Sequence, residues 1–465
     1  MLLIGITGPP GAGKTTLLSE TAAWMASRGK RVAGFVSEGD GERSPGKGAE
    51  AYVLRDLATG DRRALAKQRA PEMRGYDFDE AAFDEAGQWI SRIDPSPDLI
   101  VLDELGKIES SGGGLAAHWP LVLEREPAVV LASVRDGAAE AIQAVLGHPF
   151  DVVVRADDPD APAQLQSLLM DAEDWQRIGA YGAAAGGIEM TVGSAMHAMM
   201  IPLRGLFMST VQAAVMVFAG ERLGRRRRVV WVPYISAGLK ALSPAGSRIR
   251  PMIAIVMQGQ LFAAATVVLG WNYAGVFVGG ALVGAWALLQ GIVLQMLFLG
   301  TAVLDAIGAV TAWTAALMGT RTPTVFLVLA VMVGAWAAIA GTVSAVIFHR
   351  RHREPARLEA AVRSRTSRVT ADVATSKREA ARKGTRDLLK PSFWLPIAII
   401  LVILALSGSG GERLAWLAFR ALATGFVLFA LIRLIRPDAA ARWLRRTGRW
   451  GPALALQRAL GGGGR

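Results

Sequence analysis

The sequence predicts two parts: an α/β domain with a mostly parallel sheet and helices on both faces, followed by an all-α multi-pass membrane domain. Three observations lead to this division. Short apolar runs alternate with helical patterns up to residue 178, long apolar runs fill most of the remainder, and the charge changes sign between the two parts. Residues 179–188, which are mostly glycine and alanine, are the predicted linker between the domains.

A glycine-rich motif follows the first apolar run. Residues 8–15 read GPPGAGKT, which fits the pattern G-x-x-x-x-G-K-[ST], and they stand between a strand-like run and a helical pattern. Backbone N–H groups of such a loop turn toward one anion, and the N-terminus of the next helix adds its positive dipole end. The motif predicts a P-loop that binds the phosphates of a nucleotide. Its predicted contact residues are Gly8, Pro9, Pro10, Gly11, Ala12, Gly13, Lys14, Thr15 and Thr16.

Two carboxylates close a later apolar strand, because residues 98–104 read DLIVLDE. We expect Asp103 and the Thr15 hydroxyl to hold Mg²⁺, and Lys14 to reach the β- and γ-phosphates. Glu104 is placed to orient and deprotonate a water molecule aimed at the γ-phosphate. This additional carboxylate favours hydrolysis over phosphoryl transfer to an acceptor. Taken without the loop, the two acids would also suit a strand that ends in solvent.

The acidic stretch also carries a family resemblance. Residues 103–109 read DELGKIE and resemble the motif D-E-[IL]-G-K-[MI]-E of the small P-loop nucleoside-triphosphatases described as nucleotide phosphatase or kinase-like. GFVSE at 34–38 and DLATG at 56–60 are similar as well, and the resemblance covers about residues 1–175. It implies an enzyme that hydrolyses nucleoside triphosphates with Mg²⁺ and tolerates several bases. The residues to which it assigns this chemistry are Gly8, Gly13, Lys14, Thr15, Asp103 and Glu104.

The other elements of this domain follow from apolar periodicity. A turn with the sequence TGD at 59–61 predicts a β-hairpin insertion over residues 51–65. Arg135 comes just after a predicted strand, where it either contacts a ligand at the carboxyl edge of the sheet or is solvated. The predicted strands are 31–36, 51–57, 99–103, 128–133 and 151–155, and the clearest helical patterns are 79–93 and 137–146.

The charge distribution argues against a nucleic-acid partner. Residues 1–178 contain 18 Lys and Arg against 29 Asp and Glu, whereas the remainder contains 33 against 10. An acidic nucleotide-binding domain does not attract a polyanion. The chain has no cysteine, which excludes disulfides and thiolate metal sites. Its first residues, MLLIGITG, lack the basic start of a signal peptide, so we expect the N-terminal domain in the cytoplasm.

Seven apolar runs in the second part approach the ~20 residues that a helix needs to cross a bilayer. If the basic clusters at 225–228, 349–390 and 433–449 are all cytoplasmic, four spans separate the first two clusters and two separate the last pair. We therefore predict a polytopic membrane domain at 189–348, a basic cytoplasmic helical loop at 349–390, and a two-span hairpin with a basic cytoplasmic tail at 391–465. The runs are 192–219, 252–271, 273–299, 301–318, 324–348, 393–407 and 414–434.

Charged residues at membrane depth are costly and often functional. Arg204, Lys240 and Asp305 lie in or beside these runs, and Glu189 lies at their beginning. Asp305 either pairs with Arg204 or Lys240 around a polar cavity, or it stands at the end of a span in water. The predicted location is the inner or plasma membrane, in contact with the lipid bilayer.

The sequence leaves three functions open. The first is a membrane-bound nucleoside-triphosphatase that energises or gates transport of a small-molecule cargo, alone or with other transporter subunits. The second is a nucleotide-sensing regulatory module tethered to the membrane. The third is a kinase that acts on a nucleotide or a lipid-linked acceptor.

Overall fold

The computed structural model describes most of the chain. The predicted basic loop at 349–390 lies almost wholly outside the described residues, as do the first part of the predicted span at 192–219 and the side chain of Arg204. The described residues are 1–43, 49–69, 75–193, 196, 199, 204–242, 249–350, 382, 385, 391–434 and 437–460.

The described chain forms two compact units. The first, which we call the α/β unit, contains Met1–Gln176 and also Leu444–Leu454 from the far end of the sequence. The second, the helical unit, contains Arg177–Trp443 and the end of the C-terminal helix. Residues 444–454 therefore pack with the α/β unit, although we predicted them as the tail of the membrane hairpin.

One eight-stranded sheet forms the centre of the α/β unit, with strand order β5-β4-β3-β2-β6-β7-β1-β8. The strands β2, β6, β7, β1 and β8 are mutually parallel, and β3, β4 and β5 continue one edge with antiparallel pairings. The sheet is thus mostly parallel, as predicted. The strands are β1 Leu2–Thr7, β2 Val32–Arg43, β3 Ala49–Asp56, β4 Arg62–Gln68, β5 Tyr76–Phe78, β6 Leu99–Leu105, β7 Val129–Val134 and β8 Val152–Arg155.

Helices cover both faces of this sheet, because alternate residues of its central strands are buried on opposite sides. On one face, Leu3, Ile100 and Val130 join a cluster that includes Phe83 and Ile90 of the second helix. On the other face, the first helix packs against β2, β6 and β7. The helices of this unit are α1 Lys14–Ser27, α2 Glu80–Arg92, α3 Trp119–Glu124, α4 Ala139–Leu146 and the first half of α5 Ala161–Ile188, with short 3₁₀ turns at Glu109–Ser111 and Gly114–His118.

The predicted hairpin insertion is present between β3 and β4. Its turn is fixed by Asp56, whose carboxylate accepts hydrogen bonds from the backbone N–H of Ala58 at 3.0 Å and from the hydroxyl of Thr59 at 2.8 Å. The third antiparallel strand, β5, was not predicted from the sequence. It has only three residues, which is too short for an alternating pattern to identify.

The predicted linker at 179–188 is helical, because α5 continues without interruption to Ile188. Its glycines allow close packing instead of providing a flexible connection. A Cβ atom on Gly182 would lie 2.6 Å from the side chain of Ile235, and one on Gly186 would lie 3.1 Å from that of Leu239. Small residues at this position thus reflect a helix contact within the helical unit, which single-sequence composition does not distinguish from a linker.

The helical unit follows the predicted apolar runs closely, except at its beginning. Within the predicted span 192–219, the described residues show the end of a π turn at Glu189–Gly193 and a helix at Arg204–Arg222, and most of the residues between them lie outside the described part of the chain. Downstream, a 3₁₀ turn at Arg226–Val230 contains most of the basic cluster. The helices of this part of the chain are Arg204–Arg222, Trp231–Leu242, Ile249–Val268, Tyr273–Leu299, Ala302–Leu317, Thr322–Arg350, Pro391–Leu406, Gly411–Leu434, Pro437–Arg446 and Trp450–Ala459.

Four of these helices contain segments that are long and apolar enough to cross a membrane, judged by length and composition: Pro251–Val268, Tyr273–Leu299, Thr322–Arg350 and Gly411–Leu431. Two of the other predicted spans are apolar but shorter, at Ala302–Leu317 and Phe393–Leu406. Glycines bring two of the long helices together. A Cβ atom on Gly280 would lie 2.2 Å from Ser344 Oγ, and one on Gly341 would lie 2.7 Å from the carbonyl oxygen of Phe277. Small residues at these positions therefore allow the two helices to pack closely.

The charged residues of the helical unit pair differently from our expectation. The Asp305 carboxylate pairs with Arg413, and both side chains are about half exposed. Lys240 Nζ lies 3.9 Å from Glu189 Oε1, and the Lys240 side chain is buried. Lys240 is therefore not the partner of Asp305, the side chain of Arg204 lies outside the described residues, and the half-exposed Asp305 agrees with the predicted alternative of a position at the end of a span. The partner of Asp305 comes from a helix more than 100 residues later. Local sequence could not identify this partner.

Gly34 supplies a test of the sheet. Its φ is +96°, and a Cβ atom there would lie 2.0 Å from the carbonyl oxygen of Val101 on β6. We expect Gly34→Ala to lower the free energy of unfolding by about 2–4 kcal/mol, since it combines backbone strain with a steric collision. Thermal unfolding of the full-length protein, followed by tryptophan fluorescence, measures the effect.

Gly29→Ala is the matched control for this substitution. Gly29 also has a positive φ, +71°, but a Cβ atom there would have no atom within 4 Å. The control carries the backbone strain without the collision, so we expect it to cost only about 1 kcal/mol. Equal losses for the two variants would contradict the close approach of β2 and β6.

Candidate functional site

The glycine-rich loop lies between β1 and α1, at the carboxyl edge of the parallel strands. Gly11 and Gly13 both have φ of +84°, and Gly13 is the N-cap residue that immediately precedes α1. Only glycine adopts this conformation without strain, so the loop can direct several N–H groups to one side. The first bond along α1 joins the Leu17 N–H to the Gly13 carbonyl at 2.9 Å. The N–H groups of Lys14, Thr15 and Thr16 precede this bond and can bind an anion.

The two prolines of the loop have a different role from its other residues. Pro9 and Pro10 have no N–H, so they shape the loop without donating to a phosphate. The Ala12 N–H donates to the Pro9 carbonyl at 3.1 Å and closes a turn within the loop. The potential backbone donors are therefore concentrated at Gly11, Gly13 and the first turn of α1.

Lys14 lies folded over this loop. Its Nζ donates to the carbonyl oxygen of Gly8 at 3.0 Å, and the residue is buried. No acidic residue occurs in the first turn of α1, so the positive end of the helix dipole is not neutralised locally. The ammonium group and the helix dipole together make this loop an electropositive position inside an acidic domain.

Asp103 connects the loop to three neighbouring elements. Its Oδ2 accepts hydrogen bonds from the Thr15 hydroxyl at 2.7 Å and from the Ser37 N–H of β2 at 3.0 Å. Its Oδ1 accepts a hydrogen bond from the Ser133 hydroxyl of β7. The carboxylate is 1% exposed. The sequence predicted that Asp103 lies beside Thr15, but it gave no indication of Ser37 and Ser133.

Opposing effects act on the pKa of the Asp103 carboxyl. Burial raises the pKa of its carboxyl above the ordinary value, whereas the hydrogen bonds from Ser133, Thr15 and Ser37 and the charge of Lys14 lower it. Burial is the largest of these effects. A cation bound beside Asp103 would therefore compensate an energetically unfavourable buried charge.

Glu104 follows at the solvent-accessible mouth of the site. Desolvation by the surrounding protein raises the pKa of its carboxyl, the nearby charges of Lys14 and Arg135 lower it, and Asp103 raises it further. The combined effect is to raise the pKa of Glu104 above the ordinary value of a glutamate. A carboxylate with a raised pKa that water can reach suits a general base.

Arg135 lies at the same edge of the sheet. It follows β7, its N–H donates to the Leu105 carbonyl at 3.0 Å, and its side chain is exposed. Because β7 lies between β6 and β1, Arg135 emerges between the strand that carries Glu104 and the strand that enters the P-loop. This position fits both predicted alternatives, because Arg135 lies at the carboxyl edge of the sheet and its side chain is exposed.

Glu109 is a residue of the DELGKIE stretch for which sequence reasoning gave no chemistry. Its buried carboxylate accepts hydrogen bonds from the N–H of Gly106 at 2.8 Å and from the N–H of Leu115 at 3.3 Å. It thereby fixes the turn that follows Glu104. Lys107, in the same stretch, is exposed. A glutamate that bonds backbone three residues earlier could have been suspected from spacing, but its second partner could not.

The oxygen donors around the loop suit a hard divalent cation. The Thr15 hydroxyl and the Asp103 carboxylate are 2.7 Å apart, and oxygen donors of this kind are those that Mg²⁺ prefers. Among the described residues, no group of three or more His, Cys, Asp and Glu side chains could hold a metal ion. Mg²⁺ held by one hydroxyl and one carboxylate would complete its coordination with substrate phosphates and water.

Comparison with known proteins matches the α/β unit. The protein-family model described as NTPase matches residues 3–153. The nucleoside-triphosphatase THEP1 of Methanosarcina barkeri is 28% identical over 160 residues, which are 33% of this chain and 88% of the relative. The crystal structure of THEP1 from the hyperthermophile Aquifex aeolicus aligns with 36% of this chain and 99% of its own, with 20% identity and a TM-score of 0.27.

A second relative is similar enough to assign this chain to a family. The nucleoside-triphosphatase THEP1 of Methanosarcina acetivorans is 30% identical over 138 residues, which are 28% of this chain and 74% of the relative. The matched residues include the P-loop, and the family match ends at residue 153, before the helical unit begins. Through its α/β unit, this chain belongs to the THEP1 family of P-loop nucleoside-triphosphatases.

Proposed function

We propose that this chain is a membrane-bound, Mg²⁺-dependent nucleoside-triphosphatase that hydrolyses ATP- and GTP-type nucleotides. The observation that supports this most directly is the hydrogen bond between Thr15 and Asp103, with Glu104 as the next residue. It brings the two predicted halves of the site together from positions 88 residues apart. Family membership supports the same reaction class.

Each residue of the site has a distinct task in this proposal. The N–H groups at the start of α1 bind the phosphate oxygens, and Lys14 exchanges the Gly8 carbonyl for the β- and γ-phosphates. The Thr15 hydroxyl and Asp103 would hold Mg²⁺, which when bound neutralises the charge that develops on the phosphates. Asp103 keeps the Thr15 hydroxyl oriented through the bond that is already present.

Glu104 completes the reaction in this proposal. Its carboxylate accepts a proton from a water molecule at the mouth of the site, and the water oxygen attacks the γ-phosphorus. The bond between the γ-phosphorus and the β–γ bridging oxygen breaks, which releases the nucleoside diphosphate and inorganic phosphate. The turn held by Glu109 fixes the backbone that follows Glu104. Glu104 is exposed, so water can reach its carboxylate, and this favours hydrolysis over the kinase alternative.

The helical unit extends the proposal to a membrane. Four candidate spans and two shorter apolar helices support insertion in the inner or plasma membrane, with the α/β unit in the cytoplasm. The fusion of a nucleotide site to such helices favours hydrolysis that energises or gates the movement of a small molecule.

Hydrolysis is tested with the purified full-length protein, ATP, GTP and Mg²⁺. We expect Glu104→Gln to lower kcat by about 10²–10⁴-fold with little change in KM, since it removes a general base but keeps the shape of the side chain. Lys14→Ala should lower kcat and also raise KM, because it removes a phosphate contact. Phosphate release measures both effects.

Glu140→Gln is the control, because this exposed residue of α4 undergoes the same chemical change. Wild-type turnover in Glu104→Gln would contradict the assignment of the base. Transfer of the γ-phosphate label to a second molecule, without release of phosphate, would favour a kinase instead.

The pH dependence of kcat/KM follows from the raised pKa of Glu104. The base acts only when it is deprotonated, so activity should fall as the pH decreases through that raised pKa, at a higher pH than an ordinary glutamate would produce. Arg135→Gln removes a positive charge that lowers this pKa, so its acid limb should move to higher pH. Titration of the nucleotide itself is common to both proteins and cancels in the comparison.

Arg92→Gln, on the exposed surface of α2, is the matched control for the lost charge. Its profile should coincide with that of the wild type. An acid limb that stays in place in Arg135→Gln would contradict the proximity of Arg135 and Glu104.

The orientation in the membrane can be tested by cysteine labelling, because the natural chain has no cysteine. Ser91 is exposed in the α/β unit, and Thr320 is exposed in the turn between two apolar helices. An impermeant maleimide should label Thr320→Cys in intact cells but should label Ser91→Cys only after permeabilisation. Labelling of Ser91→Cys in intact cells would contradict a cytoplasmic nucleotide site.

A further inference from the structure

The α/β unit includes a segment from the far end of the chain. Residues Leu444–Leu454, which we call the C-terminal clamp, pack with Met1–Gln176 rather than with the helices that precede them. The clamp follows the apolar helix Gly411–Leu434 and lies outside the residues matched by the family model. Its position therefore has no explanation in the family resemblance.

Arg445 makes the central contact of the clamp. Its Nη1 lies 3.5 Å from Asp151 Oδ2, and its Nη2 donates to the carbonyl oxygen of Met1. The side chains of Arg445 and Asp151 are 11% and 3% exposed. A surface ion pair contributes little to stability, but a buried charge that loses its partner is strongly unfavourable. This pair belongs to the second type.

Asp151 also fixes the sheet at this position. Its Oδ2 accepts a hydrogen bond from the Leu3 N–H at 2.9 Å, and its own N–H donates to the Leu3 carbonyl at 2.8 Å. The Asp151 carboxylate therefore joins the beginnings of β1 and β8 and also forms an ion pair with the Arg445 guanidinium of the clamp. If Arg445 were absent, a buried carboxylate would be left with less compensation at the edge of the sheet.

A second contact of the clamp is independent of charge. Gly448 has φ of +72° and forms the turn that reverses the chain, with its N–H donating to the Arg445 carbonyl at 2.9 Å. The next helix then places Gly451 against the indole of Trp175 on α5, where a Cβ atom would lie 2.2 Å from Nε1. Residues 451–454 are all buried. Close packing of this kind indicates that the side chains of the clamp and of α5 are complementary in shape.

We infer that the surface formed by the beginnings of β1 and β8 and by Trp175 is a docking site for the chain's own C-terminal clamp. The clamp stabilises the β1–β8 pair at the end opposite the P-loop. β1 leads directly into Gly8, and the Ala156 N–H after β8 donates to the Thr7 carbonyl at 2.8 Å. The region that follows the last apolar helix is thus attached to the two strands that support the nucleotide loop. The inference concerns packing and does not depend on the proposed reaction.

Hydrogen exchange of the full-length protein tests this docking. We expect Arg445→Ala to increase amide exchange about tenfold in residues 2–7 and 152–155. The substitution removes the positive charge that pairs with the buried Asp151 carboxylate, and only the hydrogen bond from the Leu3 N–H then remains of the contacts described above. Exchange in α2, which packs on another part of the sheet, should remain unchanged. Arg445→Lys should give a smaller increase, since it keeps the charge but not the two-pronged contact.

Arg446→Ala is the matched control, because Arg446 is the adjacent residue, carries the same charge and is exposed. It should leave the exchange of β1 and β8 at the wild-type rate. Gly451→Val provides a second variant that acts through the Trp175 contact, and it should increase exchange in residues 444–454.

Three results would overturn the inference. One is exchange of residues 444–454 in the wild-type protein at the rate of an unstructured peptide. Another is equal behaviour of Arg445→Ala and Arg446→Ala. The third is unchanged exchange in 444–454 after Gly451→Val.

Discussion

The carboxylate of Asp103 is the constraint on which the nucleotide site depends. It accepts hydrogen bonds from α1, β2 and β7, so three elements that are distant in sequence share one buried acceptor. A buried carboxylate is tolerated only when such bonds or a cation compensate its charge. Asp103 is therefore stable only in an electropositive environment, and its hydrogen bond holds the Thr15 hydroxyl in that environment.

The strand order explains how this arrangement arises. β6 lies between β2 and β7, and β7 separates it from the P-loop strand β1. Asp103 can therefore reach both neighbours, while Glu104 stands one residue further toward the edge. The space above β7 lies between Glu104 and the loop, and Arg135 emerges there. The order of the parallel strands therefore places Glu104 and the P-loop on either side of the end of β7.

Sequence alone predicted the parts of this molecule that depend on local pattern. The P-loop, the acidic strand end, the hairpin near Thr59 and most of the apolar helices all have signals within about 20 residues, because they reflect periodicity and turn chemistry. The partners of Asp103 other than Thr15 were not predictable, since Ser37 and Ser133 carry no distinctive pattern. The ion pair between Asp305 and Arg413 and the role of Glu109 in binding Leu115 were missed for the same reason. Each joins groups whose proximity is decided by the fold rather than by spacing.

The two strands β1 and β8 run between the clamp and the phosphate-binding loop, and both strands are short. β1 has six residues and β8 has four, which at about 3.3 Å per residue corresponds to roughly 13–20 Å between their two ends. Both are paired along their full length within the sheet, so a displacement at one end cannot be absorbed by a flexible connection. The carboxyl ends support the loop that binds phosphate, and the amino ends bind Arg445. The clamp and the phosphate-binding loop therefore lie at opposite ends of the same two strands, and the clamp is held there by an ion pair, a hydrogen bond and packing within the α/β unit.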